Sequence, residues 1–164
     1  MINHTVLKLI AQRKALGLNM SELATLPNIS QSNKVIADYE RGRRKPAQSY
    51  INEMKRLSVN YTFLIQMMEA DIKKVKVINP KYELSLPFFS EFLDFKVETG
   101  NGQLQYWRVW QAAVSHLVMT GLVSNLNDGE NIPETMINTK SYLSGQHDAV
   151  LESLCGIFLL DAND

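Results

Sequence analysis

Apolar residues recur along the first third of the chain at intervals that suit short helices. Val6, Leu7, Ile10 and Ala11 stand at helical spacing with Lys8, Gln12 and Arg13 off that stripe, and Gly17 supplies a left-handed stop. Asn19-Met-Ser-Glu22 has the form of a capping box, an Asn that can cap with Glu three residues on. It opens a short second helix around Leu23-Ala24, which Pro27-Asn28 ends. A third helix is expected from about Ser32 to Arg41, capped by Ser30 or Ser32, with Val35, Ile36 and Tyr39 inward and Gly42 after it. Pro46 suits the first turn of a fourth, 47–57, whose inward face is Ile51, Met54 and Leu57.

Beyond residue 60 the pattern changes character. A fifth helix is expected from Tyr61 to Ile72 through Phe63, Leu64, Met67 and Met68, with Lys73-Lys-Val-Lys76 at its end. Residues 81–86 alternate, Tyr82, Leu84 and Leu86 against Lys81, Glu83 and Ser85, which is a short strand that Pro87 stops. Phe88–Val97 forms a short helix and Gly100-Asn-Gly102 a turn. A long helix follows from Gln103 to Val123, with Leu104, Trp107, Val114 and Leu117 on one stripe and Trp110 alongside. Asn125–Asn131 is expected to be a loop, and Ser144–Leu160 a last helix.

The expected fold is therefore mainly α. A helix-turn-helix domain of four to five helices occupies residues 1–60, its second and third helices joined by a tight turn. A mostly helical dimerisation domain occupies 61–164, with one short strand near 81–86.

Formal net charge is zero, but the charges are divided. Residues 1–60 hold ten Lys and Arg against four Asp and Glu, a net of +6; residues 61–164 hold seven against 13, a net of −6. Four bases fall within positions 41–45. A basic first third on an acidic remainder is the distribution of a polyanion-binding module on a carrier.

The ordered set Asn19-x-x-Glu22-Leu23-Ala24, Ile29-Ser30 and Tyr39-Glu40-Arg41-Gly42-Arg43-Arg44-Lys45-Pro46 resembles the Xre-type, repressor-like helix-turn-helix family over residues 5–60. Two features depart from that family. The span from Ser30 to Glu40 is longer than usual, and Pro27 sits where an aliphatic residue is common. The resemblance implies double-stranded DNA as partner. It also implies a scaffold role for Glu40, paired within the fold to a basic residue of the first helix such as Arg13. Downstream, residues 81–86, Ser90–Asp94 and Tyr106-Trp-Arg-Val109 resemble the anti-CRISPR-associated autorepressors and their YdiL-like relatives, which implies a homodimer on an inverted repeat.

On this reading Gln31, Ser32, Asn33, Lys34 and Asp38 face the bases: Asn suits adenine, Lys guanine, and an Asp accepts from cytosine. Asp38 has a plainer alternative, a surface pair with Arg41 or Arg43. Ser21, Arg41, Arg43, Arg44 and Lys45 face phosphate, where each contact lowers log affinity by about 0.9 per decade of salt. The aromatic stripe carries more area than one packing face needs, and a lone short strand is unstable. Tyr82, Leu84, Leu86, Trp107, Trp110 and Val114 are therefore expected at a dimer interface, the alternative being a single intramolecular core.

Other classes of function find little support. His4, His116 and His147 lie far apart, there is no Cys-x-x-Cys or glycine-rich phosphate loop, and Cys155 sits in an apolar segment as an inert thiol. No enzyme, metal or cofactor is expected. One cysteine, no apolar run of membrane length and no signal-like start lead to the expectation of a cytoplasmic protein. A different reading, an antitoxin-like module whose acidic, aromatic part grips a partner protein, keeps DNA binding secondary.

Overall fold

The computed structural model describes residues 3–81 and 85–127. The protein is mainly α, with six helices and one two-stranded sheet among those residues. It divides into two compact units, Met1–Val59 and one that opens at Asn60.

The first unit begins with α1, His4–Ala15, whose Asn3 cap accepts from the Val6 amide. It ends in a Schellman turn: Gly17, at φ +68°, follows the cap, and the Leu18 amide returns to the Arg13 carbonyl. The buried side chains of α1 are Val6 and Leu9, while Leu7 is exposed, so the inner face is rotated from the expected stripe. That rotation puts Arg13 on the inner side.

Next comes α2, Met20–Leu23, with both halves of the Asn19–Glu22 capping box formed. It ends earlier than expected, and a series of hydrogen-bonded turns follows. Thr25 and Leu26 amides bond three residues back, to Glu22 and Leu23, and the Thr25 hydroxyl takes the Glu22 carbonyl. Residues 24–32 then form the connection to α3, Asn33–Glu40.

A single 31-residue helix, α4, runs Gln48–Ile78 where two helices were expected. Ser58, Val59 and Asn60 are modest helix formers, but none is Gly or Pro, and the Ser58 hydroxyl bonds back to the Met54 carbonyl without breaking the ladder. The division into units falls within this helix. Tyr50, Met54 and Leu57 are buried before it and Leu64, Met68 and Ile72 after it, a stripe of period near 3.6 throughout.

In the second unit, β1 (Ser85–Pro87) pairs in parallel with β2 (Asn125–Asn127), in register Ser85 with Asn125. Pro87 is part of the strand, as an edge position allows, and β2 lies where a loop was expected. Between the strands come α5, Phe92–Thr99, and α6, Leu104–Met119, the crossover that a parallel pair requires. Gly121, at φ +74°, ends α6 short of the expected Val123, with the Leu122 amide returned to the Leu117 carbonyl.

The aromatic stripe of α6 is spent inside this chain, which corrects the interface expected there. The Trp107 indole donates to the Phe89 carbonyl and the Trp110 indole to the Pro87 carbonyl, both at 2.8 Å. Leu86, Trp107, Trp110 and Val114 are all at most 5% exposed. Four side chains expected to meet a second copy form the core of their own unit, because the end of β1 and the loop after it supply the carbonyls that indoles need when buried. Strand β1 likewise finds its partner in β2. Tyr82 and Leu84 lie outside the described residues, as do the expected last helix, His147 and Cys155.

Candidate nucleic-acid interface

Helix α3 is held by its inner face. Ile36 is fully buried, and the Tyr39 ring packs against Tyr50 with centroids 5.3 Å apart and planes at 57°. At the end of α3, Glu40 takes two hydrogen bonds from Arg13, Nε to Oε1 at 2.5 Å and Nη2 to Oε2 at 2.9 Å. The remaining guanidinium nitrogen, Nη1, donates to the Leu18 carbonyl at 2.8 Å. One side chain thus ties α1, the turn after it and α3 together, with only 11% and 15% of the two side chains exposed. This is the pair that the resemblance implies for Glu40.

Tyr50 closes the same cluster. Its hydroxyl is buried without a hydrogen-bond partner among the described residues. Burial first, and then the Glu40 carboxylate, push its pKa up to about 12. Because the folded state holds the proton more tightly than the unfolded chain, the resulting stability is complete below pH 10 and is lost as pH rises from there to about 12. Tyr50→Phe is expected to abolish that alkaline loss. It should also raise stability near pH 7 by about 1 kcal/mol, since an unsatisfied buried hydroxyl is removed. Urea titrations of both proteins at pH 7 and pH 11 check the two effects.

The outer face of α3 is polar. Asn33, Lys34 and Arg41 are exposed, and Ala37 and Asp38 are half-buried between them. The spacings 33–37–41 and 34–38 place these positions on adjoining ridges of one face. Ser32 is the N-cap, its hydroxyl accepting from the Val35 amide. The Asn33 amide nitrogen donates to the Ser21 hydroxyl at 2.9 Å, joining α2 to α3. Gln31 differs from a base-facing residue: its amide nitrogen bonds Ser30, and its carbonyl oxygen is buried without a partner among the described residues. Asp38 lies 4.0 Å from the Arg43 guanidinium, the surface pair that was the plainer alternative for it.

The basic loop is built by a second Schellman turn. Gly42 has φ +70°, its amide bonds the Tyr39 carbonyl, and the amides of Arg43 and Arg44 both return to the Asp38 carbonyl. The backbone is thereby fixed while the side chains of Arg41, Arg43, Arg44 and Lys45 stay exposed and Pro46 is buried. Gly42→Ala forces a Cβ into left-handed backbone and is expected to cost about 1 kcal/mol, read as a lowered urea midpoint of the full chain.

A shallow hollow of about 270 Å³ lies beside this loop, lined by Asn3, Val6, Gly42, Arg43, Arg44, Lys45 and Pro46. The amino end of α1 therefore opens where the loop bases gather, adding its positive dipole end to theirs. Sequence reasoning missed this contribution, although Asn3 before an amphipathic stretch is an ordinary capping signal. A surface with an exposed polar helix face, three consecutive bases and a helix N-terminus attracts an extended polyanion.

Elsewhere the chemistry is sparse. Among the described residues no group of three or more His, Cys, Asp and Glu is placed to hold a metal ion, and no helix is long and apolar enough to cross a membrane. His116 Nε2 and Glu69 Oε1 approach to 3.9 Å. A scan against protein-family models found no match, and no curated protein is significantly similar in sequence.

Proposed function

We propose that the protein is a sequence-specific DNA-binding transcriptional regulator, a dimeric repressor of an inverted-repeat operator. The observation that carries this reading is the rigid seat given to the 41–45 bases. A capped glycine turn and the Arg13–Glu40 clamp fix the backbone, while the cationic side chains themselves remain exposed. A loop that served only solubility would need no such anchoring. Phosphate contacts by Arg43, Arg44 and Lys45 position the protein, and Asn33 and Lys34 on the outer face of α3 read base edges in the major groove. Asn33, already donating to Ser21, offers its carbonyl oxygen and remaining N–H in a set orientation. Asp38 is the weakest of the candidate readers, because Arg43 lies beside its carboxylate.

The test is a mobility-shift titration of the purified protein on the DNA upstream of its own gene, with an unrelated duplex as competitor. The expected result is preferential retardation of the upstream fragment and salt-dependent binding to both. Failure to bind any duplex at low ionic strength would overturn the proposal.

A further inference from the structure

Single exposed aliphatic side chains are ordinary, but in the second unit, where Val118, Met119 and Leu126 are also exposed, four stand as two pairs set among charges. Val77 and Ile78 close α4 at 83% and 85% exposure, and Leu93 and Val97 stand one turn apart on α5 at 68% and 69%. The i, i+4 spacing of the second pair makes it one continuous patch. Opposite charges surround the two pairs. Exposed Lys73, Lys74 and Lys76 precede Val77 and Lys81 follows Ile78, whereas Glu91, Asp94 and Glu98 flank Leu93 and Val97 with Lys96 as the opposing charge. Helix dipoles account for part of this, since bases suit the end of α4 and acids the start of α5. They do not account for four aliphatic side chains left in water.

We propose that the two patches are the halves of a self-association surface: the lysine-rich end of α4 in one copy seats on α5 of a second copy. A two-fold axis makes the contact twice, each copy giving its basic half to the other's acidic half, so two small patches become one interface. Aliphatic pair meets aliphatic pair at the centre and the charges set the orientation. The proposal rests on the dimeric part of the functional reading and replaces the buried α6 stripe as the place where copies meet.

Sedimentation velocity of the full chain tests it with two charge-reversed variants, Lys73→Glu/Lys76→Glu and Glu91→Lys/Asp94→Lys. The wild type is expected to be a dimer. Each variant alone should self-associate at least about 100-fold more weakly, because like charges then face each other in both contacts. Mixed, the two variants should recover a 1:1 dimer, since every basic patch again meets an acidic one; a misfolded variant would not recombine. A wild-type monomer overturns both this surface and the dimeric reading. A wild-type dimer whose variants remain dimers, or whose monomeric variants keep the wild-type far-ultraviolet spectrum yet fail to recombine, overturns the surface alone.

Discussion

Replacing Arg43 and Arg44 together by alanine is expected to weaken binding to duplex DNA by about 60-fold at 0.1 M salt, whatever the sequence. Each phosphate contact adds about 0.9 to the slope of log affinity against log salt, so two contacts account for about 1.8 decades at 0.1 M relative to 1 M. The same figure predicts that the defect shrinks with salt, to under about tenfold at 0.3 M. Stability should barely change, because both side chains are exposed and their backbone amides, which hold the turn, survive the substitution. Salt titrations of binding, with the far-ultraviolet spectrum as a folding control, measure both. An unchanged slope would mean that these side chains do not meet phosphate.

The second large effect is on folding. Glu40→Ala leaves the Arg13 guanidinium, 11% exposed, with only the Leu18 carbonyl as a partner. Breaking a buried pair costs roughly 3–5 kcal/mol, and the partial exposure of this one brings the expectation to about 2–3 kcal/mol. Removing both charges with Arg13→Met/Glu40→Leu should recover part of that, because the penalty lies in the orphaned cation more than in the lost attraction. Both tryptophans, Trp107 and Trp110, belong to the second unit. Urea unfolding followed by tryptophan fluorescence therefore reports that unit, while far-ultraviolet dichroism reports both. A shift in dichroism alone places the damage in the first unit; an equal shift in both signals means that the two units unfold together. No shift in either would show that the clamp contributes nothing.

Local signals in the sequence carried much of the first unit. Gly17 and Gly42 marked helix ends because only a left-handed residue closes a Schellman turn cheaply, and Asn19 with Glu22 marked a start by mutual bonding. Each depends on neighbours within a few residues. What escaped depended on distant partners. The apolar stripe alone misplaces the inner face of α1, because Arg13 lies off that stripe yet is drawn inward by a carboxylate 27 positions away, a pair that only the family resemblance implies. The join between the two halves of α4 was misread as a break, since weak helix formers look alike whether or not tertiary packing overrides them. Strand β2 has no periodic signal of its own; Asn125-Leu-Asn127 is a strand because Ser85–Pro87 is there to receive it.

The tryptophan stripe teaches a different lesson. Trp107, Trp110 and Val114 announced a large apolar face, and that face is buried. Nothing in spacing distinguishes a face covered by its own chain from one covered by a copy. The deciding groups were the carbonyls of Pro87 and Phe89, set about twenty residues upstream. Among the residues proposed to face bases, Asn33 and Lys34 stand exposed, whereas Gln31 turns its oxygen inward and Asp38 leans toward Arg43.

The unbroken course of α4 has a practical consequence for anyone wishing to isolate the first unit. A fragment stopped at residue 60 would sever a regular helix in mid-span, leaving its last four carbonyls without amides and the new terminus free to fray. Extending the fragment to residue 68 would restore those bonds but bare Leu64 and Met68, which are fully buried in the intact chain. Any excised version therefore needs polar replacements at those two positions, or it will trade a ragged end for a sticky one.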